Sequence, residues 1–407
     1  MILLTILLAG LSIVKAATLA RAQPPTRVIE NRASTCTPKA GGSGSTDDAP
    51  AIQSAIASCS SGTIVIPSGT TYYINSAFTF AGCSGCTLQI EGTLKVASDT
   101  DYWEGRKAIF LMDGITGANV ISTTGGGVID GNGQNAYDRF ASDSSYKRPT
   151  LFYITNSKNV LVQNLKFKNA PNVFHSVTGG SSNVQYNKIT LTATSKSSNL
   201  PKNTDGWDVG TSTYVTITDA TVTNNDDCVA FKPGTNYATV TTISCTGSHG
   251  ISVGSLGSGS SSTDTVKNVW VSGATMIDST KAAGIKLYPD GPDHGTAVVQ
   301  NVTFQNFVVQ NSDYAFQIQS CYGEDTSYCS STPSTAQLTG VVVKGFSGTT
   351  SSKYSPTVAN INCPAAGTCG VTLSSMTVKP PSGSAQYLCA NTPSNLGVTC
   401  TSGASGK

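Results

Sequence analysis

An internal echo constrains this chain more than any other feature. The segment Asn159-Val160-Leu161-Val162-Gln163-Asn164-Leu165-Lys166-Phe167-Lys168-Asn169 returns as Asn183-Val184-Gln185-Tyr186-Asn187-Lys188-Ile189-Thr190-Leu191-Thr192-Ala193. Further echoes begin at Tyr214, Tyr237, Asn268 and Asn301, with steps of 24 (183 minus 159), 23 (237 minus 214) and 33 (301 minus 268). Repeats in this range signify stacked supersecondary units, the longer steps leaving room for loops on one side. Within a unit, Val215 and Ile217 alternate with Thr216 and Thr218, which sends one set of side chains inward and the other outward. No hairpin dipeptide separates consecutive units and their pattern keeps one polarity, so parallel stacking is expected over an antiparallel sandwich or propeller. The reading is an all-β fold, a right-handed single-stranded parallel β-helix whose hand follows the usual crossover preference.

The alternation starts after Gly62 and continues to about residue 378. Upstream, Ser45-Thr46-Asp47-Asp48-Ala49-Pro50 and the apolar spacing of Ala51 to Ile56 predict a short helix, opened by a capping residue with acids and Pro in its first turn. Such a helix can cap the open end of a solenoid core. Beyond Ser382 the chain reads as loop, tied down by Cys389 and Cys400. Charged residues are 12% of the chain, against roughly 25% in an average globular protein. The surface must therefore be covered largely by Ser, Thr, Asn and Gly, which suit strands and turns.

Residues 1–17 form an apolar run ending in small residues, the shape of a secretory signal peptide, and are too short to span a bilayer. Residues 18–35 read as a leader or propeptide, and residues 36–407 as one β-helical domain. Twelve cysteines in a secreted chain argue for disulfides. Their order suggests neighbours closing small loops: Cys36 with Cys59, Cys83 with Cys86, Cys228 with Cys245, Cys321 with Cys329, Cys363 with Cys369 and Cys389 with Cys400. The first four could also pair in a nested way. Asn301-Val302-Thr303 is a glycosylation sequon. A net charge of +2 without a basic run gives no reason to expect a nucleic-acid or membrane partner.

Chemistry concentrates between Asn203 and His249. Asp205 and Asp226 are 21 residues apart (226 minus 205), and Asp227 and His249 are 22 apart (249 minus 227), close to one coil each. Side chains at matching positions of adjacent coils stand about 4.8 Å apart. Carboxylates so close cannot all ionise cheaply, so one should hold its proton. One protonated and one ionised carboxyl is the equipment of glycoside hydrolysis. Adjacent residues of a regular strand face opposite ways, so Asp226 and Asp227 can share a cleft only at a strand end or bulge.

These residues make the chain resemble the polygalacturonase family, the family 28 glycoside hydrolases. Asn203-Thr204-Asp205-Gly206, Asp226-Asp227-Cys228, Gly250 after Ser248-His249, and Ile285-Lys286 look like its signature motifs. The resemblance implies a right-handed parallel β-helix and inverting hydrolysis of α-1,4-galacturonosyl linkages in pectin. It implies Asp226 as general acid, Asp205 and Asp227 as holders of the water, and His249 as the group that tunes the acid and positions the sugar. It marks Asn203 and Tyr322 as cleft residues and Lys286 as the cation that meets a galacturonate carboxylate. No cofactor or metal is implied: pectate lyases share the architecture but depend on Ca²⁺-bound carboxylates, whereas acids paired with His249 suit hydrolysis.

One departure stands out, because the family usually has Arg-Ile-Lys where this chain has Gly284-Ile285-Lys286. Loss of the arginine removes a bidentate carboxylate clamp, and Gly284 is expected to open space beside the scissile bond. Weak action on plain polygalacturonate and tolerance of a decorated backbone should follow. That combination is similar to the xylogalacturonan hydrolases of filamentous fungi, endo-acting on xylose-substituted galacturonan, as are the run Ala282 to Lys286 and the overall length. Gly247 to Leu256 also resembles exopolygalacturonases, which release galacturonate from chain ends. A third reading, from another class, is a non-catalytic wall-binding β-helix. The expected partner is a pectic polysaccharide, met outside the cell by a monomer.

Overall fold

The computed structural model describes residues 34–407, so the predicted signal peptide (1–17) and most of the predicted leader (18–33) lie outside the described residues. The chain winds as a right-handed parallel β-helix. Strands collect into a seventeen-stranded and a twelve-stranded sheet, each rung hydrogen-bonded in parallel to the next. In the smaller sheet, Trp207–Val209, Val229–Phe231, Ile251–Leu256, Ala283–Leu287 and Phe316–Gln319 follow one another in order. Trp207 pairs with Val229, Val229 with Ile251, Ile251 with Ala283, and Ala283 with Phe316.

The echo has a backbone cause. Asn159, Asn183, Tyr214, Tyr237, Asn268 and Asn301, where the repeats begin, all adopt the left-handed conformation, with φ between 54° and 57°. Five residues on, Asn164, Lys188, Asp219, Thr242, Gly273 and Asn306 do the same. Each coil thus turns two corners at fixed spacing, and Asn recurs because its short polar side chain tolerates positive φ. Stacking reinforces the corner: Asn183 donates to Asn159 at 2.7 Å, Asn301 donates to Asn268 at 2.7 Å, and the rings of Tyr214 and Tyr237 stack at 5.0 Å. The amide of the Asn301 sequon is therefore engaged in this ladder.

Helix Ala49–Ser58 closes the N-terminal end, with Ile52 and Ile56 fully buried and Cys59 joined to Cys36. Its N-cap, Asp48, does not cap with its side chain. The carboxylate instead accepts from the amides of Gly41 and Tyr73 at 2.7 Å, and Asp47 takes the Ala49 amide at 3.1 Å. All six neighbour-closing disulfides are present. The expectation of loop beyond Ser382 needs correction. Gln386–Ala390 and Cys400–Ser402 add two further parallel rungs to the smaller sheet. The alternation there is too short to register as a repeat, yet Tyr387 and Cys389 turn inward and close the last coil.

Inside the coil, Phe110, Phe152, His175 and Trp207 occupy one register column. The His175 ring is fully buried, stacks on Trp207 at 5.6 Å, and has no hydrogen-bond partner on either nitrogen among the described residues. Burial pushes its pKa down to about 3, so it packs as a neutral aromatic. Unfolding restores an ordinary value of about 6.5. The unfolded chain then binds the extra proton between these values, and stability falls as pH drops by about 1.4 kcal/mol per unit. Replacing His175 by Phe should therefore leave a stability advantage that is flat above pH ~6.5 and grows with acidity below it. Denaturant melts at pH 7, 5 and 4 measure this, and an advantage independent of pH would refute it.

Candidate active site

The site forms where the chain bends into the smaller sheet. Counting back two residues from the paired Trp207, Val229, Ile251 and Ala283 gives Asp205, Asp227, His249 and Lys281, one column on four successive coils. The ladder continues into this column, since the Gly206 amide donates to the Asp227 carbonyl and the His249 amide to the Asp226 carbonyl at 2.9 and 2.8 Å. Asp226 sits one residue out of the column. It shares the cleft with Asp227 because both precede strand Val229–Phe231, which answers the strand-parity objection with a bend. Asn224 fixes this bend by donating to the carbonyls of Thr204 and Asp227 at 2.8 and 3.0 Å.

One carboxylate oxygen from each of Asp205, Asp226 and Asp227 lies within 4.8 Å of the others. Asp205 and Asp227 are buried, whereas the side chains of Asp226 and His249 are 16% and 40% exposed and face the open cleft. His249 Nδ1 is 3.2 Å from Asp226 Oδ1, and the Asn203 amide donates to Asp226 Oδ2 at 3.1 Å. Lys286 donates to both oxygens of Asp227 at 2.9 and 2.7 Å, and Ser252 donates to Asp227 Oδ1 at 2.9 Å. Tyr322 lies beside the Lys286 ammonium, its ring centre 5.6 Å away. Beyond it opens a pocket of about 350 Å³ lined by Gln319, Tyr322, Gly323, Glu324, Asp325 and Lys407.

Several members were not singled out in the sequence. Lys232 Nζ lies 3.7 Å from Asp205 and 3.5 Å from Asp208. Arg148 donates to the carbonyls of Pro171 and Lys202 and to the Asn203 side chain at 3.1, 2.6 and 2.7 Å, holding Asn203 against Asp226. A signal for Lys232 was available. It directly follows its inward strand residue Phe231, as Lys286 follows Ile285.

The charge states follow from burial and neighbours. Burial, then the charges of Asp208 and Asp226, push the Asp205 carboxyl well above the ordinary range. Burial also raises Asp208, against the pull of Lys232. For Asp226, burial acts upward but is outweighed by the hydrogen bond and charge of His249, the Asp227 amide and Lys286, leaving it at about 2. Crowding therefore keeps a proton on Asp205 and not on Asp226. The three acids could bring oxygens to one cation. Lys232 and Lys286 already stand 3.7 and 2.7 Å from two of them, and a divalent ion would have to displace or oppose both ammonium groups.

A second expectation needs correction. A Cβ on Gly284 would meet the Gln317 carbonyl at 2.7 Å and the Lys281 Cδ and Cε at 2.7 and 2.8 Å. The space above Gly284 is thus filled by the stem of Lys281 and is not open.

Comparison with known proteins agrees with this geometry. The family described as Glycosyl hydrolases family 28 matches residues 57–401. Endo-xylogalacturonan hydrolase A of Aspergillus tubingensis is 62% identical over 401 residues, 98% of each chain. The crystal structure of endo-xylogalacturonan hydrolase from the same fungus superposes with a TM-score of 0.90 at 63% identity, covering 91% of this chain and 100% of that one. The polygalacturonase of Erwinia carotovora ssp. carotovora shares the fold, with a TM-score of 0.70 at 19% identity over 90% of this chain and 99% of its own. This chain belongs to the family 28 glycosyl hydrolases.

Proposed function

We propose that this chain cuts α-1,4-galacturonosyl linkages within xylose-substituted galacturonan, as an endo-acting, inverting hydrolase secreted by its cell. The observation that carries the reading is the convergence of Asp205, Asp226 and Asp227 within 4.8 Å beside His249. The 62% identity to a relative named endo-xylogalacturonan hydrolase A supports the substrate. Six disulfides suit an oxidising compartment, and among the described residues no helix is long and apolar enough to cross a membrane. On this reading residues 1–17 and 18–35 are removed or inert, and residues 36–407 act as a monomeric catalytic domain.

Two acceptor oxygens up to 4.8 Å apart can share one water at ordinary hydrogen-bond lengths of about 2.8 Å. Asp205 and Asp227 are the natural holders, because they are buried and fixed by lysines. Asp226 is the exposed member, the one a glycosidic oxygen can reach, and His249 Nδ1 stands 3.2 Å from it. Carboxyl spacing alone, at roughly 5 Å, is the mark of retaining enzymes, while inverting pairs stand ~6.5–9.5 Å apart. Inversion is nevertheless expected here. Asp227 spends its oxygens on Lys286 and Ser252 and is a poor nucleophile.

A second reading has its own observation: Asp205, the carboxyl that burial keeps protonated, could be the acid. An activated leaving group separates the two, since it needs no proton. Asp226→Asn should lower the rate on xylogalacturonan on the order of 10² or more and recover much of it on a nitrophenyl-capped oligomer. Recovery by Asp205→Asn instead would exchange the roles. An unchanged rate in both variants would remove the acid role from both residues, and a wild type that binds the polymer without cutting it would leave a binding module.

Wild-type protein incubated with xylogalacturonan should release a ladder of decorated oligomers whose new reducing ends are first of the inverted anomer, read by NMR. It should act weakly on plain polygalacturonate. Monomer release from the plain polymer alone would favour the exo reading.

A further inference from the structure

Lys281 is the next rung of the column that contains Asp205, Asp227 and His249. The residue as a whole is only 4% exposed, an expensive place for an ammonium without a partner. Among the described residues no hydrogen bond or ion pair to that ammonium exists. Two glycines create its course. A Cβ on Gly250 would meet the Lys281 Cγ at 2.9 Å, and one on Gly284 would meet its Cδ and Cε at 2.7 and 2.8 Å. The stem therefore passes over Gly250 and then Gly284. Gly284 pairs with Ser252, whose hydroxyl contacts Asp227. The end of Lys281 is thus delivered to the cleft floor, where Lys286, Asp227 and Asp226 are the charges that act on it.

Lys286 cannot do the cation's work alone. Two of its three donors are spent on Asp227, leaving at most one for a ligand. We propose that Lys281 is a specificity-determining residue, whose ammonium receives a carboxylate of the uronate polymer together with the free donor of Lys286. This rests on the substrate class proposed above. The partner must be an anion. A neutral sugar would leave two ammonium groups facing each other in a buried site, whereas a carboxylate neutralises the pair.

The receptor is tuned by protonation. Burial first, and then the charge of Lys286, push the Lys281 pKa down to about 7, while Asp227 and Asp226 oppose the shift. His249 precedes Gly250 on one side, and Tyr314 occupies the same column on the next coil. Below pH ~7 the free site carries the charge that a carboxylate needs; above it, binding must take up a proton, so affinity weakens by up to about tenfold per pH unit.

Steady-state kinetics on xylogalacturonan test this with the wild type, Lys281→Met and Lys281→Arg, together with melting temperatures. The Met variant should raise KM about tenfold with kcat within about threefold, and the Arg variant should bring KM back toward the wild type. Wild-type KM should climb between pH 6 and 8, and that climb should be absent in both variants. An unchanged KM in Lys281→Met, or a climb that persists in it, overturns the assignment. If the Met variant melts early, the wild type decides, because a KM flat through pH 7 equally overturns it. A wild type that cuts no galacturonan at all overturns the proposed function instead.

Discussion

The parallel ladder sets everything else. Each rung is held to the next by backbone hydrogen bonds at about 4.8 Å, and Trp207, Val229, Ile251, Ala283 and Phe316 stand in one line. Register in a sheet with a buried face is strongly specified, because a slip by one residue would turn every inward side chain outward. Here a slip at any rung would carry Trp207 or Ile251, both fully buried, to the surface. The same energy that keeps them inside holds Asp205, Asp227, His249 and Lys281 opposite one another. No dedicated interaction is needed to bring these four groups together. Hydrophobic burial does it two residues away.

A ladder that stacks identical charges must then dispose of the repulsion. At 4.8 Å and an effective dielectric near 20, two like charges repel by roughly 3.5 kcal/mol, a large share of the ~5–15 kcal/mol stability of a domain. The structure answers by interleaving. Lys232 stands between Asp205 and Asp208, Lys286 is locked to Asp227, and His249 sits on Asp226. What remains falls on the buried but less compensated acid, Asp205, which keeps its proton. The exposed acid, Asp226, is held ionised by His249.

Much of this was legible in the chain, and the reason is local. The corners that require positive φ draw Asn to Asn159, Asn183, Asn268 and Asn301, so a backbone constraint surfaces as an echo. Cysteines close loops within one coil or between adjacent coils, and nearest-neighbour pairing succeeds because the solenoid brings neighbours together. Asp205, Asp226, Asp227 and His249 fall at coil spacing for the same reason. What escaped depends on irregular spacing or on side-chain packing. The step from His249 to Lys281 is 32 residues (281 minus 249), because strands Ile251–Leu256 and Thr263–Ile277 are longer than their counterparts on the previous coil, Val229–Phe231 and Thr235–Thr246, and this hides a rung that is adjacent in space. The last two rungs are too short to repeat. His175 looks polar in the sequence and becomes core only because Phe152 and Trp207 sandwich it.

Gly284 shows how a residue can be read correctly as a departure and wrongly as a void. A glycine beside a cleft invites the inference of open space, but close packing forbids a dry gap where a neighbour can reach. Lys281 can reach it. Three lysines then differ by how their donors are spent: Lys232 is divided between Asp205 and Asp208, Lys286 is committed to Asp227, and Lys281 has no partner among the described residues. Only the last keeps its full hydrogen-bonding capacity for a ligand. A lysine ammonium is also a point donor on a flexible stem, and it tolerates more than one carboxylate orientation where an arginine fork would demand coplanarity. On the proposed substrate, whose backbone carries bulky side groups, that tolerance would let each decorated residue settle differently in the cleft and still find the charge.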